Sequence, residues 1–82
     1  MNEEEFRIEL NHVKFAVLET KDKEKKEFVK QRIISSDKDK VLKFAIGDYI
    51  LFAVEYNNSI YISKRKENLE KIIEKIKEAS KR

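Results

Sequence analysis

The stretch that decides the fold is residues 41–63, VLKFAIGDYILFAVEYNNSIYIS. Two short turn sequences, Gly47-Asp48 and Asn57-Asn58, divide this largely apolar stretch into three segments. A glycine in the first position of a two-residue loop suits a type II′ hairpin turn, and asparagine tolerates the positive φ of a type I′ turn. The stretch is therefore predicted to form an antiparallel meander with strands at 41–46, 49–56 and 59–63.

The two faces of the meander follow from this register, because two-residue loops fix which residues lie opposite each other. Leu42 pairs with Ala53 in the first hairpin, and Phe52 pairs with Ser63 in the second. One face, called the apolar face here, carries Leu42, Phe44, Ile46, Tyr49, Leu51, Ala53, Ile60 and Ile62. The opposite face, called the mixed face, carries Val41, Lys43, Ala45, Ile50, Phe52, Val54, Tyr56, Ser59, Tyr61 and Ser63.

Residues 64–82 are predicted to form an amphipathic helix. Their apolar residues recur at intervals of three and four, which places them on one helical face: Leu69, Ile72, Ile73, Ile76 and Ala79. Either Asn68 or Ser63 can cap its start. One helix covers one face of a sheet, and the apolar face is the predicted choice. The mixed face would then stay open.

Upstream, two sets of apolar residues alternate in opposite phase and predict strands: Phe6, Ile8 and Leu10, then Val13, Phe15 and Val17. Asn11-His12 would form either a hairpin turn or a bulge in one long strand, and the bulge is preferred. Residues 21–27 read as a charged loop. Residues 28–34 read as a strand or a short helix, with strand preferred, and Ser35-Ser36-Asp37 would end it.

The predicted fold class is therefore α+β. It consists of one twisted antiparallel sheet of four to six strands followed by one C-terminal amphipathic helix. An 82-residue chain fits a single domain. This domain spans residues 1–82, mainly β up to residue 63 and helical from residue 64.

Composition argues against catalysis and against a cofactor. The chain has no cysteine and a single histidine, so it has no ligand set for a transition metal and no Cys-His nucleophile. A single glycine excludes a glycine-rich phosphate loop. His12 is predicted to be a turn or bulge residue. The carboxylates lie among lysines rather than in an apolar pocket, so we expect a protein that is not an enzyme.

The chain is expected to work in the cytoplasm. No apolar run approaches the ~20 residues of a membrane-spanning helix. The N-terminal sequence Met1–Glu5 is acidic, whereas a secretory signal begins with positive charge.

Positive charge collects in two parts of the chain. Residues 19–40 hold eight basic and six acidic groups, and residues 64–82 hold eight basic and four acidic groups. Aromatic side chains on a sheet face can stack on bases while neighbouring cations neutralise phosphates. We therefore expect a module that binds single-stranded DNA or RNA. Its candidate residues are Lys43, Phe52, Tyr56, Tyr61, Lys64, Arg65 and Lys66.

Three alternatives remain at this stage. The lysines can form an ordinary solvated surface, while Ile50, Phe52 and Val54 are buried against a second subunit or against the N-terminal strands. The protein can instead be a small non-catalytic accessory or inhibitory subunit that docks on a larger protein through its mixed face and an open sheet edge. A contiguous patch of Ile50, Phe52 and Val54 also predicts a homodimer, because monomers rarely leave such a patch uncovered.

The last strand and the helix after it resemble the positive-cofactor-four family of transcriptional coactivators. Within Ser59–Ser63, Ile60 and Ile62 match the alternating aliphatic residues of that family, and Ser63 matches its hydroxyl residue. The resemblance implies a curved four-stranded sheet followed by one helix. It also implies dimers formed through the helices and sheets that grip single-stranded DNA. Ser59 stands where the family usually has glycine, and tryptophan is missing from the strands.

Overall fold

The computed structural model describes residues 2–11 and 17–80, which form a five-stranded antiparallel sheet with helices on both faces. In chain order the elements are α1 (Glu3–Asn11), β1 (Val17–Thr20), α2 (Lys23–Lys30), β2 (Ile33–Ser36), β3 (Leu42–Ile46), β4 (Tyr49–Tyr56), β5 (Ser59–Ser63), a 3-10 helix (Lys66–Leu69) and α3 (Glu70–Ser80). The strands lie in the order β1-β5-β4-β3-β2. The predicted α+β class, with an antiparallel sheet and a C-terminal helix, is confirmed. Within the described residues, none of the helices is both long and apolar enough to cross a membrane.

The predicted meander forms with the predicted register. Leu42 pairs with Ala53, and Phe52 pairs with Ser63. In the first turn only Gly47 has a positive φ, +58°, a conformation that glycine adopts without a steric penalty. Asn57 and Asn58 both have positive φ, 52° and 65°, as a type I′ turn requires. The assignment of residues to the two faces of the sheet follows from this pairing.

The prediction of a strand near the N-terminus was wrong, because Glu3–Asn11 is a helix. The Asn2 side-chain oxygen accepts a hydrogen bond from the Glu5 backbone N–H at 2.9 Å, which caps the helix. Phe6 is fully buried, whereas Ile8 is 51% exposed. The alternation of apolar residues was misleading because a spacing of four also occurs within it and suits a helix equally well.

The region between α1 and the meander also differs from the prediction. The charged segment expected to be a loop forms most of α2, whose N-cap Asp22 accepts a hydrogen bond from the Glu24 N–H at 2.9 Å. Of the two structures considered for residues 28–34, the helix is present up to Lys30 and the strand begins at Ile33. The predicted turn or bulge at His12 and the strand residues before β1 lie outside the described residues.

Helices α1 and α2 cover the apolar face of the sheet. The ring of Phe6 stacks on that of Phe28 with centroids 5.1 Å apart, and it meets Phe44 edge-on at 6.4 Å. These rings join the side chains of the meander in one buried cluster: Phe6, Phe28, Val29, Phe44, Ile46, Leu51, Ala53, Ile60 and Ile62. Two helices therefore occupy the face on which the sequence placed the C-terminal helix.

The C-terminal helix lies on the mixed face, so the prediction that it covers the apolar face was wrong. Leu69 and Ile73 are buried against Val41 and Val54. Half-buried side chains surround this second cluster: Val17, Phe52, Tyr61, Ile72 and Ile76. The reason is that α1 and α2 already fill the apolar face, and the middle strand offers enough apolar surface on the mixed face to receive a helix.

Candidate nucleic-acid interface

The aromatic residues of the mixed face do not form one open platform. Tyr61 is half-buried in the cluster beneath α3. Tyr56 is also half-buried and lines a depression with Lys75, Glu78 and Ala79 of α3. The helix therefore covers the half of the mixed face that lies toward the turn between β4 and β5.

The other half of the mixed face is more open. Ile50 is 44% exposed, and Phe52 is half-buried with part of its side chain in contact with solvent. Phe52, Lys43 and Lys66 line a shared depression of about 130 Å³. Since small-molecule pockets usually hold roughly 300–1,000 Å³, this depression is better suited to contact with part of a larger ligand. Three of the predicted site residues thus lie together.

Asp37 lines the same depression, and Lys66 forms an ion pair with it. Its ammonium group donates a hydrogen bond to the Asp37 carboxylate and pairs with it. This bond, with a further bond from the Val41 N–H, lowers the pKa of Asp37. The same hydrogen bond raises the pKa of Lys66. Both groups therefore stay charged at neutral pH, and Asp37 offsets part of the positive charge of Lys66.

The basic segment 64–66 begins where β5 ends. The buried Ser63 hydroxyl accepts a hydrogen bond from the Arg65 N–H at 3.2 Å and another from the Asn68 side-chain amide at 3.1 Å. These bonds direct the chain from the strand into the 3-10 helix. Because Phe52 pairs with Ser63, the antiparallel register carries the segment alongside the start of β4. Lys64 and Arg65 are both exposed there.

Three residues outside the predicted set lie next to this segment: Arg7, Asn11 and Tyr49. The Arg7 guanidinium of α1 stands 4.6 Å from the centroid of the Tyr49 ring, which is 49% exposed. Lys64 reaches the same place, and its ammonium group donates a hydrogen bond to the Asn11 side-chain oxygen at 2.8 Å. Arg7 and Asn11 are four residues apart, so a helical interpretation of residues 3–11 would have put them on one face.

We call this region of the molecule the basic end of the sheet. Its members are Arg7, Lys43, Tyr49, Ile50, Phe52, Lys64, Arg65 and Lys66. Among the described residues, no carboxylate lies within ion-pairing distance of its cations apart from the one that pairs with Lys66. Positive charge is thus grouped around partly exposed aromatic and aliphatic side chains.

Tyr61 lies outside the basic end, and its pKa is shifted. Burial, followed by the charge of nearby Glu19, raises the pKa of Tyr61, so its hydroxyl stays protonated at neutral pH. Glu19 itself accepts a hydrogen bond from the Ser59 hydroxyl at 3.1 Å. Across residues 2–11 and 17–80, no group of three or more His, Cys, Asp or Glu side chains is arranged to hold a metal ion.

No protein-family model matches this chain, and no curated protein or solved structure is significantly similar to it. The surface chemistry of the basic end is therefore the main indication of function.

Proposed function

We propose that the protein is a nucleic-acid-binding module that takes single-stranded DNA or RNA at the basic end of its sheet and acts without catalysis. The supporting observation is two pairs of cations at this end of the sheet, Arg7 and Lys64 beside Tyr49 and Lys43 and Lys66 beside Phe52. Among the described residues, only one of these four cations has an acidic partner. Phosphate neutralisation supplies most of the affinity of such a surface, and exposed aromatic rings stack on bases without demanding a sequence.

The roles of the predicted site residues divide according to their position. Lys43, Lys64 and Arg65 are exposed and contact phosphates in this proposal, while the open part of Phe52 contacts a base. Lys66 contributes less because Asp37 pairs with it. The two remaining candidates, Tyr56 and Tyr61, pack beside or beneath α3 and support the fold.

The proposed interface predicts a steep salt dependence that two substitutions reduce. For single-stranded nucleic acid, each neutralised phosphate contributes a slope of about −0.7 to the logarithm of affinity against the logarithm of salt. The double variant Lys43→Gln/Arg65→Gln should therefore bind more weakly and with a slope shallower by about 1.4. Fluorescence titration of a labelled oligonucleotide at several salt concentrations measures both effects.

A matched control removes the same charge elsewhere. Lys23→Gln/Lys71→Gln replaces exposed lysines on α2 and α3, outside the basic end, and should leave the slope unchanged. Equal slopes for all three proteins would mean that the basic end is not the contact surface. If the wild-type protein does not bind at low salt, nucleic-acid binding itself is rejected.

An open sheet edge favours a second candidate function, docking on a larger protein as an accessory or inhibitory subunit. Strand β2 is at one end of the strand order, and among the described strands it pairs only with β3. All four of its side chains are exposed, including Ile34 at 58%. A partner strand can add to such an edge through backbone hydrogen bonds. This candidate takes precedence if the salt titration shows no binding.

The homodimer also remains a prediction, on a smaller surface than expected. Val54 lies beneath α3, so Ile50 and part of Phe52 are what remains of the open patch. Light scattering at high micromolar concentration should give twice the 9.8 kDa mass of one chain, and Ile50→Lys should give a single chain without unfolding it. A wild-type protein that is monomeric under these conditions would rule out the dimer.

Two further expectations stay proposals: the cytoplasmic location and the resemblance to the family of positive cofactor four. The predicted cytoplasmic location agrees with a nucleic-acid ligand. In the family of positive cofactor four, whose resemblance to this chain rests on β5 and the residues after it, dimers form through the helices. Here Leu69 and Ile73 pack against the protein's own sheet, so a dimer of this chain would use another surface.

A further inference from the structure

A small cleft lies between α1 and the sheet at the basic end. Arg7 and Asn11 line it from α1, Tyr49 and Leu51 from β4, and Lys64 from the residue after β5. Its volume is about 70 Å³. Since one water molecule occupies about 30 Å³ in the liquid, the cleft has room for a compact group rather than for a nucleobase with its sugar.

The two cations of the cleft are held in place by neutral groups. The Tyr49 ring supports the Arg7 guanidinium from one side, and the Asn11 side-chain oxygen accepts a hydrogen bond from Lys64. Glu3, a neighbour of Arg7 on α1, lies 3.6 Å from the Arg32 side chain and pairs with it. Among the described residues, no carboxylate forms an ion pair with either cation of the cleft, so two positive charges face it without compensation.

We propose that this cleft binds the terminal phosphate of a nucleic-acid strand, an inference that rests on the proposed function. A terminal phosphate monoester carries about −1.5 to −2 charges at pH 7 and presents three acceptor oxygens. An internal phosphodiester carries only a single charge. Arginine and lysine together match the dianion, and charge-assisted hydrogen bonds to phosphate are the stronger kind.

The position of the cleft fits the end of a bound strand. Lys64 belongs both to the cleft and to the basic segment that continues through Arg65 to Lys66 near the mixed face. A strand that contacts Lys43 and Phe52 on the mixed face can therefore follow this segment around the end of the sheet. Its last phosphate then lies between Arg7 and Lys64.

The test compares three labelled oligonucleotides of one sequence, with a 5′-phosphate, with a 3′-phosphate, or with hydroxyl groups at both ends. The wild-type protein should bind one of the phosphorylated forms about tenfold more tightly than the hydroxyl form, and which one it is identifies the strand end. Arg7→Gln should abolish this preference while changing affinity for the hydroxyl form much less. The control Lys71→Gln, on the opposite side of the sheet, should keep the preference.

The possible outcomes separate this inference from the proposed function. If the wild-type protein binds all three oligonucleotides equally, the terminal-phosphate site is rejected and nucleic-acid binding stands. If Arg7→Gln keeps the full preference while circular dichroism shows a folded chain, the phosphate is bound elsewhere and the cleft is rejected. If none of the oligonucleotides binds at low salt, both proposals fail.

Discussion

Replacing Phe6 with alanine is expected to lower the free energy of unfolding by about 3–5 kcal/mol. The Phe6 side chain is fully buried and contacts the rings of Phe28 and Phe44, so the truncation leaves a cavity between α1, α2 and the sheet. A domain of this length is stable by roughly 4–12 kcal/mol, so the loss is a large part of the total. Urea denaturation followed by circular dichroism measures it.

The control for this prediction is Ile8→Ala in the same helix. Successive residues of a helix are about 100° apart, so Phe6 and Ile8 point in nearly opposite directions. Ile8 is 51% exposed, and its truncation should change the unfolding free energy by no more than about 0.5 kcal/mol. In a strand both side chains would lie on one face and both truncations would be costly. Equal losses would therefore contradict the helical structure of α1.

The meander was predictable because its signals are local and agree with one another. Gly47, Asn57 and Asn58 supply the positive φ values that two-residue turns need, and the segments between them are apolar and of strand length. Once the turns are known, the register and both faces of the sheet follow without any knowledge of the rest of the chain.

The two N-terminal helices were not predictable in the same way because they depend on tertiary contacts. Helix α2 has only eight residues, six of them charged, and an isolated helix of this length is marginal in water. What stabilises it is burial of Phe28 and Val29 against the sheet, and the ion pair of Lys25 with Glu9 of α1. The Asp22 cap was its one clear local signal.

The candidate site was predicted in part for a related reason. Alternation tells which residues share a face, but not which helix covers that face. With α1 and α2 interpreted as strand and loop, the C-terminal helix was the only available cover and was placed on the apolar face. That error put Tyr56 and Tyr61 on an open surface. It also placed Tyr49 under a helix and left Arg7 unconsidered. Of the predicted site residues, Lys43, Phe52 and Lys66 line one depression.

The second large effect on stability follows from the position of α3 on the mixed face. It is tested with Val54 and Ile50, two residues of β4 that both point to this face. Val54→Asp should unfold the protein or lower its unfolding free energy by several kcal/mol, because Val54 is fully buried beneath Leu69 and Ile73. An aspartate side chain is too short to bring its charge to solvent from that position. Ile50→Asp should leave the fold intact, since Ile50 is 44% exposed beyond the end of the helix.

This pair of variants distinguishes the two possible positions of the C-terminal helix. Truncating Leu69 would not do so, because that residue is buried whichever face the helix covers. If the helix lay on the apolar face, both aspartates would project from an uncovered mixed face and cost about the same. Thermal and urea denaturation compares the stabilities of the two variants directly. The protein concentration is kept low enough that any dimer is dissociated. A Val54→Asp protein as stable as Ile50→Asp would show that α3 does not cover the mixed face, and the aromatic residues there would again be open to a ligand.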